Sequence, residues 1–114
     1  MLKVFGIPNC DQVKKSQKWL KDRVIEFEFH NYKKLGISKK QLNDWCKEVE
    51  WEALLNKRSR TWKELSEKDR SNLTQAKAIT LMQLHPTLIK RPVVQKGKII
   101  EVGFDSKIFK QKFK

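Results

Sequence analysis

The chain has 114 residues, 39% of them hydrophobic, and a formal net charge of +13. That length predicts one domain with a real hydrophobic core. The two cysteines, Cys10 and Cys46, are too few for a secreted disulfide scaffold. The N-terminus lacks a signal-peptide pattern, and no apolar run approaches the roughly 20 residues of a membrane span. We therefore expect a soluble, cytoplasmic, monomeric protein with no membrane contact.

The charge comes from 26 Lys and Arg residues against 13 Asp and Glu residues. A balance of this size can attract nucleic acid, an acidic protein or a small anion. The lysines are spread along the whole chain, and no basic stretch is interleaved with aromatic residues as a base-stacking surface requires. The pattern favours a solvated lysine-rich surface over a direct nucleic-acid site.

The first third of the chain predicts a β-α-β unit. Residues 2–6 form a short buried strand, and the Gly, Pro and Asn of residues 6–9 indicate a loop. A helix follows from about Asp11 to Asp22, and the alternation over Val24–Phe29 predicts a second strand, parallel to the first. The helix carries Val13, Gln17 and Leu20 on one face, with Ser16 and Trp19 close by.

The middle of the chain is helical. Ser38 and Gln41 form a capping box at a helix start. Short helical turns are expected at about residues 51–55 and 61–65, and Ser71 or Thr74 caps a longer helix that runs to about His85 before Pro86. The apolar face of the first of these helices holds Leu42, Trp45, Cys46 and Val49, and that of the last holds Ala76, Ile79, Leu81, Met82 and Leu84.

The last third predicts a β-hairpin and a final helix. Val93–Val94 and residues 99–102 are strands joined by the turn at residues 95–98, and Asp105 caps the helix that follows. The whole order is β-α-β, a helical block, then β-β-α. This is an α/β class with a thioredoxin-like core at about residues 1–30 and 87–114, interrupted by an all-helical insertion at about residues 31–86.

Cys10 has the setting of a reactive thiol. It follows a strand and a tight loop and opens a helix, where unpaired backbone N–H groups stabilise a thiolate. Lys14, one turn along, adds positive charge. Both effects lower a cysteine pKa, and the thiolate is the nucleophile. The alternative is an inert thiol near a loop. The position favours the reactive thiol, and we expect Cys10 to be exposed.

The other potential ligands and thiols suggest no chemistry of their own. Cys46 lies on an apolar helix face, which predicts a buried core residue. His30 and His85 are isolated, and no spacing suits a metal site, so we expect no bound metal or cofactor.

Val13 occupies the position of the second cysteine in a Cys-x-x-Cys motif. A partner thiol for Cys10 must therefore come from elsewhere, such as glutathione or another protein.

Arg91 and Pro92 precede the predicted strand at Val93. A proline here can have a cis peptide bond, which would bring Arg91 next to the Cys10 loop. The guanidinium could then bind a carboxylate or oxyanion through two parallel hydrogen bonds. The alternative is a plain arginine at a strand start, and the residues alone leave both open. In either case we expect the side chain at the surface.

Several motifs together resemble the arsenate reductase (ArsC)-like family, and the resemblance covers essentially the whole chain. The similar branch is that of the YffB proteins, with the Spx regulators as relatives. The matching segments are Gly6-Ile7-Pro8-Asn9-Cys10-Asp11-Gln12-Val13-Lys14-Lys15, Trp51-Glu52-Ala53-Leu54-Leu55-Asn56-Lys57-Arg58, Ile89-Lys90-Arg91-Pro92 and Gly103-Phe104. The resemblance implies a thioredoxin-like fold with a helical insertion, a cis bond at Pro92, a catalytic Cys10 and an active-site Arg91.

Two departures from the family pattern argue against arsenate as the substrate. The chain has Asn56 and Val102-Gly103 where arsenate reductases have arginines, although Arg58 follows two residues after Asn56. With fewer fixed cations an arsenate oxyanion would be poorly held.

The resemblance instead implies a monothiol reductase with glutathione as co-substrate. Cys10 would be the nucleophile, and the anionic thiol substrate would contact Asn9, Lys14, Arg58, Arg91 and Pro92. The alternative is a non-enzymatic regulator that binds RNA polymerase, as Spx does.

Overall fold

The computed structural model describes residues 1–114 and contains four strands, eight α-helices and one 3₁₀ helix. The strands are β1 (Leu2–Gly6), β2 (Phe27–Asn31), β3 (Val93–Lys96) and β4 (Ile99–Val102). The α-helices are α1 (Asp11–Asp22), α2 (Tyr32–Leu35), α3 (Lys39–Cys46), α4 (Trp51–Leu54), α5 (Arg60–Glu64), α6 (Glu67–Arg70), α7 (Gln75–Leu84) and α8 (Ser106–Phe113), and the 3₁₀ helix is Pro86–Leu88. The chain forms two compact units, one of Met1–Leu35 with Arg91–Lys114 and one of Gly36–Lys90.

The first unit is built on a four-stranded sheet in the order β2-β1-β3-β4. Strands β1 and β2 are parallel, whereas β3 is antiparallel to both β1 and β4. The β-α-β start and the β-β-α end were both predicted from the sequence. This arrangement confirms the predicted α/β class with a thioredoxin-like core.

The strand register brings three chain segments to one edge of this sheet. Gly6, the last residue of β1, pairs with Asn31, the last residue of β2. Phe5 pairs with Val93, the first residue of β3. The loop after β1, the segment after β2 and the segment before β3 therefore all meet at the carboxyl edge of the parallel pair.

Helices α1 and α8 pack on the sheet through aromatic side chains. The Phe109 ring lies edge-on to Trp19 at 5.4 Å, to Phe113 at 5.2 Å and to Phe104 at 4.9 Å between centroids, an arrangement that aromatic pairs favour. Asp105 caps α8 as predicted, since its carboxylate accepts from two backbone N–H groups. The buried residues of this core are Leu2, Val4, Trp19, Leu20, Val94, Phe109 and Phe113.

The predicted start of β2 at Val24 was wrong, because that residue terminates α1. Val24 has a left-handed φ of 57° and is 89% exposed. The Val24 N–H donates to the Lys21 carbonyl and the Ile25 N–H to the Leu20 carbonyl, the two hydrogen bonds of a Schellman motif. A β-branched residue is rare at such a position, where glycine is usual. The sequence therefore carried no signal for this turn.

The second unit confirms the predicted caps and corrects one helix face. The side chains of Ser38 and Thr74 accept backbone N–H groups at the starts of α3 and α7. Ala76 and Leu84, predicted on the apolar face of α7, are exposed. Residues on the same face of a helix are three or four positions apart, and neither Ala76 nor Leu84 is at that distance from the buried Ala78. The short helices α2 and α6 and the 3₁₀ helix were not predicted.

The end of β1 depends on a close approach that only glycine permits. A Cβ on Gly6 would lie 2.6 Å from Cγ2 of Val13, a fully buried side chain of α1. Because valine is stiff at χ1, the helix rather than the methyl group would have to move. Gly6 thus sets how closely α1, and Cys10 at its start, lie against the sheet.

We predict that Gly6→Ala reduces the free energy of unfolding by about 1–3 kcal/mol, the usual cost of overpacking. Urea denaturation measures the effect. The matched control is the same substitution in a Val13→Ala background, where the methyl group is gone and the added cost should be smaller. Equal costs in the two backgrounds would contradict the contact.

None of the helices is both long enough and apolar enough to span a bilayer.

Candidate active site

Cys10 is the N-cap residue of α1. Its backbone is extended, with φ −101° and ψ 127°, and its carbonyl accepts the Lys14 N–H at 2.9 Å. The residue is half-buried, not exposed as the sequence predicted. The first turn of the helix therefore presents its N–H groups toward a partly shielded thiol.

The surroundings of Cys10 favour its thiolate. Partial burial raises the thiol pKa, but the backbone N–H of Val13, the Arg91 guanidinium and the backbone N–H of Gln12 outweigh burial, so the pKa is lowered. A helix N-terminus and a cation are the two environments that commonly activate cysteines. The predicted direction of the shift is confirmed, with Arg91 rather than Lys14 as the cation that acts on the sulfur.

Arg91 and Pro92 lie beside Cys10. The Arg91–Pro92 peptide bond is cis, as the resemblance implied. Pro92 is buried, and its carbonyl accepts the Gly103 N–H at 2.7 Å, which fixes the segment to the end of β4. Arg91 is half-buried rather than at the surface as predicted. The arginine reaches the Cys10 sulfur because β3 starts at the same sheet edge at which β1 ends.

Tyr32 is a residue of this site that the sequence analysis missed. It follows β2 directly and is 0% exposed, and its hydroxyl has no hydrogen-bond partner. Burial raises its pKa well above the usual value, and the positive charge of Arg91 opposes that rise. The Asn31 side chain accepts the N–H groups of Lys33 and Lys34 at 3.0 and 3.3 Å, which starts α2 immediately after the strand. The sequence feature that could have indicated this residue is a single tyrosine at the carboxyl end of a predicted parallel strand.

The remaining predicted site residues differ in their placement. Asn9 and Lys14 flank Cys10 in the first unit, and both are exposed. Arg58 belongs to the second unit, is exposed, and donates its backbone N–H to the Asn56 side-chain oxygen at 3.0 Å. It lines an open depression of about 630 Å³ whose walls are Glu52, Leu55, Asn56, Lys57, Arg58 and Lys90. Lys57 and Lys90 make this depression cationic, a feature that the sequence analysis did not notice.

Cys46 is not the buried core residue that the sequence predicted. It is the last residue of α3 and is half-buried. Burial raises its thiol pKa, and the negative charges of Glu50 and Glu52 raise it further. The prediction failed because the apolar face of α3 ends at Trp45. Cys10 and Cys46 therefore differ in electrostatics and not in exposure.

We predict that iodoacetamide alkylates Cys10 well before Cys46 near pH 7. The thiolate is the reacting species, and the two pKa values are shifted in opposite directions. Peptide mass spectrometry after brief labelling measures both rates, with Cys10→Ser and Cys46→Ser as matched single-thiol variants. The rate at Cys10 should level off at lower pH than the rate at Cys46. Faster labelling of Cys46 would contradict the assignment.

No group of three or more His, Cys, Asp or Glu side chains is arranged to hold a metal ion.

The fold, Cys10 and Arg91 together define a class of protein. It is the class of thioredoxin-like proteins with one activated cysteine at the start of the first helix and an arginine before a cis-proline.

Comparisons with known proteins agree with that class. The ArsC family model matches residues 5–111, so the chain belongs to the ArsC family. An uncharacterized protein from Haemophilus influenzae is 40% identical over 99% of both chains. The global transcriptional regulator Spx of Streptococcus mutans is 26% identical over 92% of this chain and 77% of its own.

Solved structures of family members share the fold. A YffB protein is 36% identical over 100% of both chains, with a TM-score of 0.96. An arsenate reductase related protein from Brucella melitensis is 40% identical over 99% of this chain and 94% of its own, with a TM-score of 0.75. An arsenate reductase from Vibrio cholerae, 21% identical with a TM-score of 0.86, shows the likeness of fold alone.

Proposed function

We propose that this protein is a monothiol thiol–disulfide reductase, with Cys10 as nucleophile and glutathione as co-substrate. The observation that carries the proposal is the Cys10 sulfur, whose pKa is lowered by helix N–H groups and by Arg91. A thiol with a lowered pKa is ionised to a greater extent near neutral pH than an ordinary cysteine, and its thiolate is a better leaving group.

The reaction proceeds in two exchanges. The Cys10 thiolate attacks a sulfur of the substrate disulfide, the S–S bond breaks, and one substrate thiolate leaves and takes a proton from water. Cys10 is then in a mixed disulfide. A glutathione thiolate attacks that bond and releases the Cys10 thiolate. When the substrate is a glutathione mixed disulfide and Cys10 attacks the glutathione sulfur, the products are the free substrate thiol and glutathione disulfide. One half of that disulfide comes from the substrate and the other from the free glutathione, so each turnover consumes one glutathione.

The residue at position 13 supports an external second thiol. Val13 is 0% exposed and packs against Gly6. It holds the place from which a Cys-x-x-Cys pair would resolve the mixed disulfide internally. The thiol that regenerates Cys10 must then come from glutathione or from another protein, and glutathione is the source proposed here.

Arg91 and the helix end suit an anionic thiol. Glutathione carries two carboxylates, and a guanidinium binds a carboxylate through two hydrogen bonds. Backbone N–H groups at the start of α1 favour negative charge at the same place. The exposed Asn9 and Lys14 add one polar and one positive group to this rim. Arg58 stays a prediction, which Arg58→Ala tests through glutathione affinity.

A turnover assay tests the proposal. Purified protein is incubated with glutathione and a glutathionylated peptide, and glutathione disulfide is measured through NADPH consumption by glutathione reductase. We expect turnover with the peptide and weak or no turnover with arsenate, because Asn56 and Val102-Gly103 replace the arginines of arsenate reductases. Robust turnover with arsenate, or none with the peptide, would overturn the assignment.

The similarity to Spx supports a second candidate, a regulator that binds RNA polymerase. The net charge of +13 would suit an acidic surface on such a partner. Co-purification with RNA polymerase from lysate compares wild type with Cys10→Ser. Retention by both proteins, together with no turnover, would favour the regulator over the enzyme.

A further inference from the structure

Tyr32 and Arg91 reach the Cys10 site from different strands. Tyr32 follows Asn31, which pairs with Gly6 at the carboxyl edge of β1 and β2. Arg91 precedes β3, which starts at the same edge. The fold thus brings a phenol and a guanidinium to the sheet edge at which Cys10 lies, although 58 residues lie between them in the sequence.

The Tyr32 hydroxyl is unusual because it is fully buried without a hydrogen-bond partner. Buried polar groups generally have partners, and each exception asks for an explanation. A phenol both donates and accepts, whereas a guanidinium only donates. Between the hydroxyl and the guanidinium, the favourable arrangement has the Tyr32 oxygen turned toward the Arg91 cation, whose charge acts on Tyr32.

We propose that Tyr32 is a positioning residue, whose buried hydroxyl oxygen orients the Arg91 guanidinium toward the Cys10 sulfur. This rests on Cys10 being the reactive group of the proposed function, but not on the identity of its co-substrate. Tyr32 is too deeply buried to touch a substrate, so it acts only through Arg91.

A neutral phenol suits this role better than an anion. A carboxylate at the same place would pair with Arg91 and compete with the Cys10 thiolate for its charge. Burial keeps Tyr32 protonated far into the alkaline range. Arg91 is the charged side chain that acts on both Tyr32 and Cys10. The hydroxyl dipole therefore interacts with Arg91 without neutralising it, so the full positive charge of the guanidinium acts on the Cys10 thiolate.

The test is Tyr32→Phe in a Cys46→Ser background, where Cys10 is the only thiol. We expect the apparent pKa of Cys10 to rise and its alkylation near pH 7 to slow by about three- to tenfold, up to one pKa unit. The rates should converge at high pH, where the thiolate is fully formed. A merely structural role would lower stability and leave the pH profile in place, so a profile that overlays wild type overturns the proposal.

Two controls separate this role from a general effect. Tyr32→Phe should change nothing further once Arg91→Ala is present, because the phenol acts through the guanidinium. Thr61→Val removes another half-buried hydroxyl, one that bonds Thr87 at 2.6 Å in the second unit, and should leave the profile unchanged. A shift that persists without Arg91, or that Thr61→Val reproduces, would contradict the proposal.

A second measurement needs no substitution at position 32. Tyr32 is the only tyrosine, so 3-fluorotyrosine labels this one site. We expect its ¹⁹F resonance to titrate with the Cys10 pKa, and the titration to vanish in Cys10→Ser. A ¹⁹F chemical shift that does not change when Cys10 ionises would overturn the role of Tyr32. An ordinary Cys10 pKa in the wild type would instead overturn the proposed function, so the two failures are distinguishable.

Discussion

Cys10→Ser is expected to abolish thiol–disulfide exchange, with a fall in turnover on the order of 10³-fold or more. A serine hydroxyl is not ionised near neutral pH and forms no mixed disulfide. The helix N–H groups and Arg91 therefore have no thiolate to stabilise, and the nucleophile is lost. The coupled glutathione assay measures the loss. Because oxygen replaces sulfur with little change in shape, we expect the fold to persist, which circular dichroism checks.

Cys46→Ser is the matched control for that loss. It removes the other thiol, at the end of α3, whose raised pKa makes it a poor nucleophile. We expect its turnover to stay within about twofold of wild type. Residual exchange in Cys10→Ser that disappears in the double variant would identify Cys46 as the working thiol and contradict the account.

Arg91→Ala is expected to have the second largest effect, because it removes one group that serves two purposes. The Cys10 pKa should rise, since the guanidinium stabilises the thiolate. Glutathione affinity should fall by about 1–3 kcal/mol, or roughly 5- to 150-fold in Kd, the range for a charge-assisted contact partly screened by solvent. Titration of glutathione followed by NMR shifts measures the affinity.

Arg91→Lys separates charge from geometry. A lysine keeps the positive charge but loses the planar fork, so binding should weaken measurably and less than with alanine. Arg91 is half-buried, so its loss also removes packing of the aliphatic stem and lowers stability. Titrations are therefore run well below the melting temperature of each variant. Equal affinity in all three proteins would make Arg91 a purely structural residue.

The thioredoxin-like core was predictable because its signals are local. The glycine and proline of the Cys10 loop, the period of α1 and the Asp105 cap each act within a few residues. The end of α1 was not predictable from such signals, since Val24 takes a conformation that its side chain disfavours and the surrounding hydrogen bonds impose.

The site was predictable only in part, for a different physical reason. Cys10 and Arg91 sit in motifs, but Tyr32 gains its role from strand register, which links residues far apart in the chain. The pKa of Cys46 is raised first by burial and then by the negative charges of Glu50 and Glu52, which the sequence places after the end of α3. Contacts of this kind arise from tertiary packing, and periodicity does not encode them.

Intact-protein mass spectrometry after incubation with glutathione disulfide shows whether Cys10 is the thiol that forms a mixed disulfide with glutathione. We expect one glutathione adduct per chain, located on Cys10 by peptide mapping, that free glutathione removes. Its formation should be fast near pH 7 and absent in Cys10→Ser. An adduct on Cys46, or no adduct while Cys10 remains open to iodoacetamide, would contradict the account.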